Sequence, residues 1–146
     1  MRAVVQRVSK ARVSVAGRSV GAIGHGLCVL LGVAETDSED DAGRLARRVA
    51  RLRIFENEGG KLDRSVLDVG GAVLAVSQFT LIADTRQGNR PSFSGAAPPE
   101  RARPLYEAFC DALSREGLHE VERGAFGERM RLEIAGDGPV TILLDA

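Results

Sequence analysis

The sequence predicts an α+β fold in three layers (β/β/α), with curved sheets packed in a barrel-like arrangement and two main helices covering one face. Three observations carry that expectation. Short β-rich runs punctuated by glycine fill the N-terminal part, two separate segments place apolar residues at helical spacing, and strand-like runs close the C-terminus. Hairpin-joined strands with segregated helices must bury one sheet face against another layer, and an α+β arrangement does so. A chain of 146 residues with 44% hydrophobic content is the size of one domain, residues 1–146, and supports a core without disulfides or metal.

Ala3 to Val8, Arg12 to Val15 and Ser19 to Ile23 read as short strands, turned by Ala16-Gly17 and by Gly24-His25-Gly26. They lead into the strongly apolar Leu27 to Val33. Thr36-Asp37-Ser38-Glu39 has the spacing of a capping box. Leu45, Ala46, Val49 and Leu52 then recur at helical spacing, so a helix is expected near residues 38–52. Asn57-Glu58-Gly59-Gly60 and Gly70-Gly71 are turn signals around a weakly patterned segment. Val73 to Leu81 reads as a strand. Its apolar run leaves Ser77, Gln78 and Thr80 at the rim of a buried strand, beside Phe79, where hydroxyl and amide groups can hold a ligand. The segment Asp84 to Pro99 is rich in glycine, serine and proline and lacks periodicity; such loops carry function or disorder. Pro98-Pro99 followed by Ala102, Leu105, Tyr106, Phe109 and Leu113 marks a second helix, stopped at Gly117. Met130 to Ala135 and Val140 to Leu144 read as two last strands flanking Gly136-Asp137-Gly138-Pro139.

Zero net charge argues against coating nucleic acid through bulk electrostatics. Of the 20 basic residues only Lys10 and Lys61 are lysine, and the arginine fork suits phosphate, although exposed arginines also simply solvate a surface. No apolar run approaches the ~20 residues that span a bilayer. Arg2, Gln6 and Arg7 interrupt the N-terminal apolar run as no signal peptide would, so a cytoplasmic location without a membrane partner is expected. Cys28 and Cys110 sit in apolar patterns and read as small hydrophobes. His25 and His119 have no cysteine or acid at metal-ligand spacing, so no metal site is expected, and no phosphate-binding glycine loop is present. Thr80 lacks a visible activating base. It is assigned to binding rather than attack, with simple strand packing as the plainer alternative. Gly138-Pro139 stands out because cis peptide bonds are cheap only before proline and glycine admits close approach. An ordinary turn is the plainer alternative.

Ser77-Gln78-Phe79-Thr80-Leu81 paired with Gly138-Pro139-Val140-Thr141 resembles the two signature motifs of the D-aminoacyl-tRNA deacylase (D-tyrosyl-tRNA deacylase) family. The resemblance runs end to end. Further matching patches are Gln6-Arg7-Val8, Arg53-Ile54-Phe55, Arg90-Pro91-Ser92-Phe93, and Phe126-Gly127 with Met130. One departure is Gly136, where the family usually has asparagine.

The resemblance implies a barrel-like homodimer that hydrolyses the ester of D-aminoacyl-tRNA without metal or cofactor. It implies a catalytic segment Gln78, Phe79 and Thr80, and a chirality filter, Gly138 and Pro139, inserted from the partner subunit as a Gly-cis-Pro wall. Gln6, Arg7, Ser77, Phe126 and Met130 would contact substrate and its 3′-terminal adenosine, Arg7 by meeting phosphate or the motif loop. The 2′-hydroxyl of that adenosine would assist water, so few catalytic side chains are needed. A filter that obstructs L side chains would also admit glycyl-tRNA. Three rivals remain: a relative that edits small L-amino acids because the proline bond is trans, a nucleic-acid-binding module without turnover, and a small-molecule scaffold.

Overall fold

The computed structural model describes residues 1–146, and its organising element is β1 (Arg2–Val15). Along one side β1 pairs antiparallel with β2 (Arg18–Ile23) and β3 (Gly26–Gly32); along the other it pairs over nearly its whole length with β8 (Arg131–Asp145). Beyond β3 lie β6 (Ala72–Ser77) and then β7 (Val121–Arg123), each parallel to its neighbour. Parallel pairing needs crossovers. Helix α1 (Glu39–Arg51) and the small hairpin of β4 (Phe55–Glu56) with β5 (Leu62–Arg64) lie between β3 and β6, and α2 (Pro99–Arg115) lies between β6 and β7. The sheet is therefore mixed, not built from hairpins alone.

Alternation along the strands divides the interior. Leu27, Val29 and Leu31 of β3 and Val73 and Ala75 of β6 face the helices, where Leu45, Val49, Phe109 and Leu113 cover them. The opposite face carries Cys28, Leu74 and Val76, packed with Val8, Ala11, Val13 and Ile23 inside the curl of the sheet. As β2 also packs on β6 and β7, the sheet approaches a barrel. The expected α+β, β/β/α architecture is the observed one.

Local details depart from the sequence pattern. The two runs Ala3–Val8 and Arg12–Val15 form one continuous strand, because β8 follows β1 past exposed Ser9 and Lys10 and absorbs the irregularity as register shifts. The last two runs likewise form one strand, with Gly136 to Pro139 as a bulge within it and not a turn between strands. The first-motif strand ends at Ser77, and Phe79–Leu81 is a 3₁₀ turn. The α1 cap is Ser38, whose hydroxyl accepts from the Asp41 amide at 3.4 Å while the Asp41 carboxylate accepts from the Ser38 amide at 2.8 Å. Asp37 is buried instead, accepting from the Ala34 amide at 2.6 Å. No helix is long and apolar enough to cross a membrane.

The buried Tyr106 hydroxyl of α2 donates to the Ala75 carbonyl at 2.7 Å, on the strand that carries the first motif. Ala75 also accepts from the Gly124 amide at 2.9 Å, so Tyr106→Phe removes one of two partners without orphaning the carbonyl. Its expected cost is about 1 kcal/mol, or roughly 2–4 °C in Tm, readable by thermal unfolding followed by circular dichroism.

Candidate active site

The first motif is built where β6 runs out of sheet. The Gln78 amide still donates to Leu31 at 2.8 Å; the chain then turns, closed by Leu81 donating to Gln78 at 3.2 Å and Ile82 to Phe79 at 3.0 Å. The first amides of a helical turn have no partner within it, which leaves those of Phe79 and Thr80 as donors at the rim. The turn rests directly on β3. A Cβ at Gly32 would lie 2.9 Å from Leu81 Cβ and 3.1 Å from the Gln78 carbonyl, so only glycine permits this seat. Sequence reasoning missed Gly32; its one signal was a glycine closing the most apolar strand.

Phe79 and Thr80 are exposed. The Gln78 side-chain amide donates to Thr80 Oγ1 at 2.5 Å, which uses the hydroxyl oxygen as acceptor and leaves its hydrogen to donate. Phe79 meets Phe93 edge to face at 5.1 Å. Phe93 belongs to the long loop, which is pinned in place: Asp84 and Ser92 exchange backbone bonds of 2.7 and 2.9 Å, and Ala97 donates to Val33 at 2.9 Å. Past the turn, on the side of the chain termini, lies a cleft of about 680 Å³ lined by Leu81, Ile82, Asp84, Arg86 and Ser94 together with Arg2 and Asp145; Gln78, Phe79 and Thr80 do not line it. The Arg86 guanidinium, hydrogen-bonded to Asp84, holds that carboxyl down at about 2.

The second motif is a bulge on β8. Gln6 faces Thr141 and Val8 faces Gly136, so two steps of β1 oppose five of β8 and the excess residues are pushed out. Gly138 and Pro139 form the exposed crest, joined by a cis peptide, with Gly138 at φ +120°. Arg7, only 6% exposed, anchors the crest. Its Nε donates to the Asp137 carbonyl at 3.2 Å and lies 3.3 Å from the Asp137 carboxylate, while another guanidinium nitrogen donates to the Ile54 carbonyl at 2.8 Å. A Cβ at Gly138 would sit 3.1 Å from the same guanidinium and 2.9 Å from Val140 Cγ2. At Gly136 nothing lies within 4 Å of where a Cβ would stand, so the missing asparagine leaves open space.

The remaining candidates occupy two places. Half-buried Gln6 sits in β1 opposite Cys28 and Thr141. Phe126 lies 5.9 Å from Tyr106, with the Arg103 guanidinium 4.8 Å over its ring; Met130 reaches Gly124, which touches Val76 one residue before Ser77. The structure therefore groups Ser77, Gln78, Phe79, Thr80 and Met130 towards one end of β6, and Gln6, Arg7, Gly138 and Pro139 mid-sheet. The register Gly136–Val8–Gly26–Ala72 and Thr141–Gln6–Cys28–Leu74 sets the crest level with Val73. Three strand spacings and five residues then separate it from Gln78 within one chain, roughly 14 Å across and 16 Å along the sheet.

Neither histidine is near the rim. His25 meets the Phe55 ring at a tilt, 5.1 Å between centroids, and its carbonyl accepts from Ala72 at the far end of β6, while His119 precedes β7 at that same end. Burial pushes the Cys28 thiol up to about 12 and that of Cys110 to about 11, so both stay protonated and unreactive at neutral pH.

A sheet curled towards a barrel, two helices on one face and a polar turn at a strand end define an α+β class of protein with hydrogen-bond donors free at a sheet rim. The family model described as D-Tyr-tRNA(Tyr) deacylase matches residues 4–145. Proteins called D-aminoacyl-tRNA deacylase from Anaeromyxobacter dehalogenans and Thermus aquaticus are 60% and 56% identical to this chain, covering all of it and 97% and 95% of their own lengths. A solved structure titled c-Myc DNA Unwinding Element Binding Protein superposes with a TM-score of 0.94 at 42% identity, covering 100% of this chain and 99% of that one. The chain belongs to the D-Tyr-tRNA(Tyr) deacylase family.

Two outcomes follow from this geometry. Arg7→Ala should speed amide exchange across Asp137 to Val140 by about tenfold or more, with no rescue by Arg7→Lys, since an ammonium does not span Ile54 and Asp137 as the fork does. The high thiol values mean that ionisation lies above the working range. Turnover is expected to show no thiol-dependent rise between about pH 6 and 9, and thiol alkylation of the folded protein should leave it unchanged.

Proposed function

We propose that this protein hydrolyses the ester of D-aminoacyl-tRNA, releasing free D-amino acid and tRNA. The observation that carries the reading is the exposed turn Gln78–Leu81, with two amides free to donate, on a chain of this family. Water adds to the ester carbonyl carbon, the oxyanion that forms accepts from the Phe79 and Thr80 amides, and the 3′ oxygen of adenosine leaves with a proton. The adenosine 2′-hydroxyl helps orient and deprotonate that water, so a protein base is not required. An activated ester needs positioning more than a strong catalyst. Gln78 and Thr80 orient the ester; Ser77, Phe126 and Met130 hold the adenosine end; Arg7 holds the crest of the second motif, and Gln6 beside that crest reaches the adenosine end only across a pair of chains.

Selectivity rests on a second copy of the chain. The crest is too far from its own turn to close the same pocket, whereas in a homodimer Gly138 and Pro139 of one protomer enter the cleft of the other and obstruct an L side chain. Two features support pairing. Leu143 is 62% exposed and lies opposite half-buried Val4, itself opposite Leu30, which makes an open apolar row. In addition, β8 is a 15-residue edge strand, and long bare edges are normally covered. A side-chain filter also admits glycyl-tRNA. The protein acts on soluble tRNA in the cytoplasm as one domain, without metal or cofactor.

A second reading, nucleic-acid binding without turnover, draws on the name of the 42%-identical DNA-unwinding-element binding protein. Matched D-, L- and glycyl-tRNA substrates separate the two. Hydrolysis of the D and glycyl esters, with the L ester spared and activity surviving chelation, is expected; binding without release of amino acid would replace the hydrolase reading. Gly32→Ala, which pushes the turn from beneath, should lower turnover about a hundredfold with unchanged far-ultraviolet circular dichroism.

A further inference from the structure

A second groove, about 460 Å³, lies outside the site described and is lined by Arg12, Ser14, Ser19, Arg129, Met130 and Arg131, together with Glu133. Its composition follows from the sheet. Ala11 and Val13 of β1 and Leu132 and Ile134 of β8 turn into the interior, so Arg12, Ser14, Arg131 and Glu133 point outward. Ser14 stands opposite both Arg131 and Ser19, and Arg12 opposite Glu133, which places these groups side by side on one face. Glu133 is used up by Arg12, through contacts of 3.0 and 2.5 Å. Arg129 and Arg131 are exposed and form no salt bridge, while Lys10 extends the same outward row opposite Ala135; Glu133, bonded to Arg12, is the one carboxylate whose charge Arg131 and Lys10 also feel. A chain of zero net charge thus gathers unpaired cations beside two hydroxyls. Guanidinium and hydroxyl donors around a shallow trough complement phosphodiester oxygens.

Met130 ties this groove to the adenosine end of the substrate, since it lines the groove and also reaches Gly124 against Val76. A nucleotide held by Met130 has Arg129 and Arg131 as its neighbours along the groove. We propose that this face binds the phosphates of the single-stranded nucleotides preceding the terminal adenosine, a subsite that rests on the deacylase reading.

The test compares D-aminoacyl-tRNA with the D-aminoacyl ester of adenosine alone, across salt concentrations, for the wild type, R129A/R131A, R129K/R131K and R44A/R115A, the last removing equal charge from the helices. R129A/R131A is expected to raise KM for the tRNA about tenfold near 0.15 M salt and to flatten the log KM against log salt slope by about 1.4, two phosphate contacts at ~0.7 each. Turnover of the adenosine ester should stay within about twofold of wild type, the lysine pair should restore most of the loss, and R44A/R115A should behave as wild type. An unchanged KM and slope, as a groove serving a protein partner would give, overturns the proposal. So does an equal loss on the adenosine ester, which would make the arginines part of the pocket. If the wild type cleaves neither ester, the deacylase reading fails separately. Fluorescence anisotropy with an RNA carrying the tRNA 3′ end then decides: weaker binding by R129A/R131A than by wild type retains the subsite, and equal binding removes it.

Discussion

Pairing of β1 on both of its edges is the constraint on which the rest depends. One edge fixes β3, and through it β6, so the height of the first motif is set by the register Ala3–Leu31–Ser77. The other edge fixes β8, whose bulge falls between Gln6 and Val8 because the chain there has more residues than β1 can match. A slip of one residue in either ladder would turn Val5 and Leu27 out of the core and Gln6 into it. The two motifs are thus held at fixed but separate levels by ladders that reach them only at their ends, at Ser77 and Gln78 on one side and at Thr141 on the other.

Arg7 converts that register into a rigid feature. Burying a guanidinium is costly unless its donors are used, and here they meet the carbonyls of Ile54 and Asp137 and the carboxylates of Glu56 and Asp137, far apart in sequence. The anchoring is directional as well as strong, since the planar fork fixes where the Asp137 carbonyl points. Gly138 answers from the other side: its positive φ and the crowding at its Cβ position leave room for hydrogen only. A rigid crest needs both, because exposed main chain without a buried anchor would yield to whatever pressed on it.

The fold was readable in the sequence where burial alone decides it. Apolar periodicity located α1 and α2, each buried along one stripe, and the unbroken run Ala72 to Val76 located the central strand, which is buried on both faces. What escaped depends on partners distant in the chain. That Ala3–Val8 and Arg12–Val15 are one strand is dictated by β8, more than a hundred residues away, and the parallel placement of β6 beside β3 is dictated by the helices packed over both. The 3₁₀ turn at Phe79 is imposed by Gly32, which no local pattern around Phe79 reveals. Within the site the residue types were apparent, as Gln78, Thr80 and Gly138 carry recognisable chemistry. Their separation within one chain was not, because it is a property of the sheet register.

That separation has a consequence for how selectivity and assembly relate. If each cleft is closed by a crest from the other copy, two-fold symmetry makes both sites at once, since an isologous contact presents crest and cleft from each side. The row Leu143, Val4 and Leu30 supplies an apolar contribution to such a contact, and its burial is shared equally by the two protomers. Discrimination between enantiomers is then coupled to association: below the dimer dissociation constant the turn keeps its amides but loses its wall. The catalytic groups and the selective group would fail under different conditions, the first on unfolding of β6 and the second on dilution.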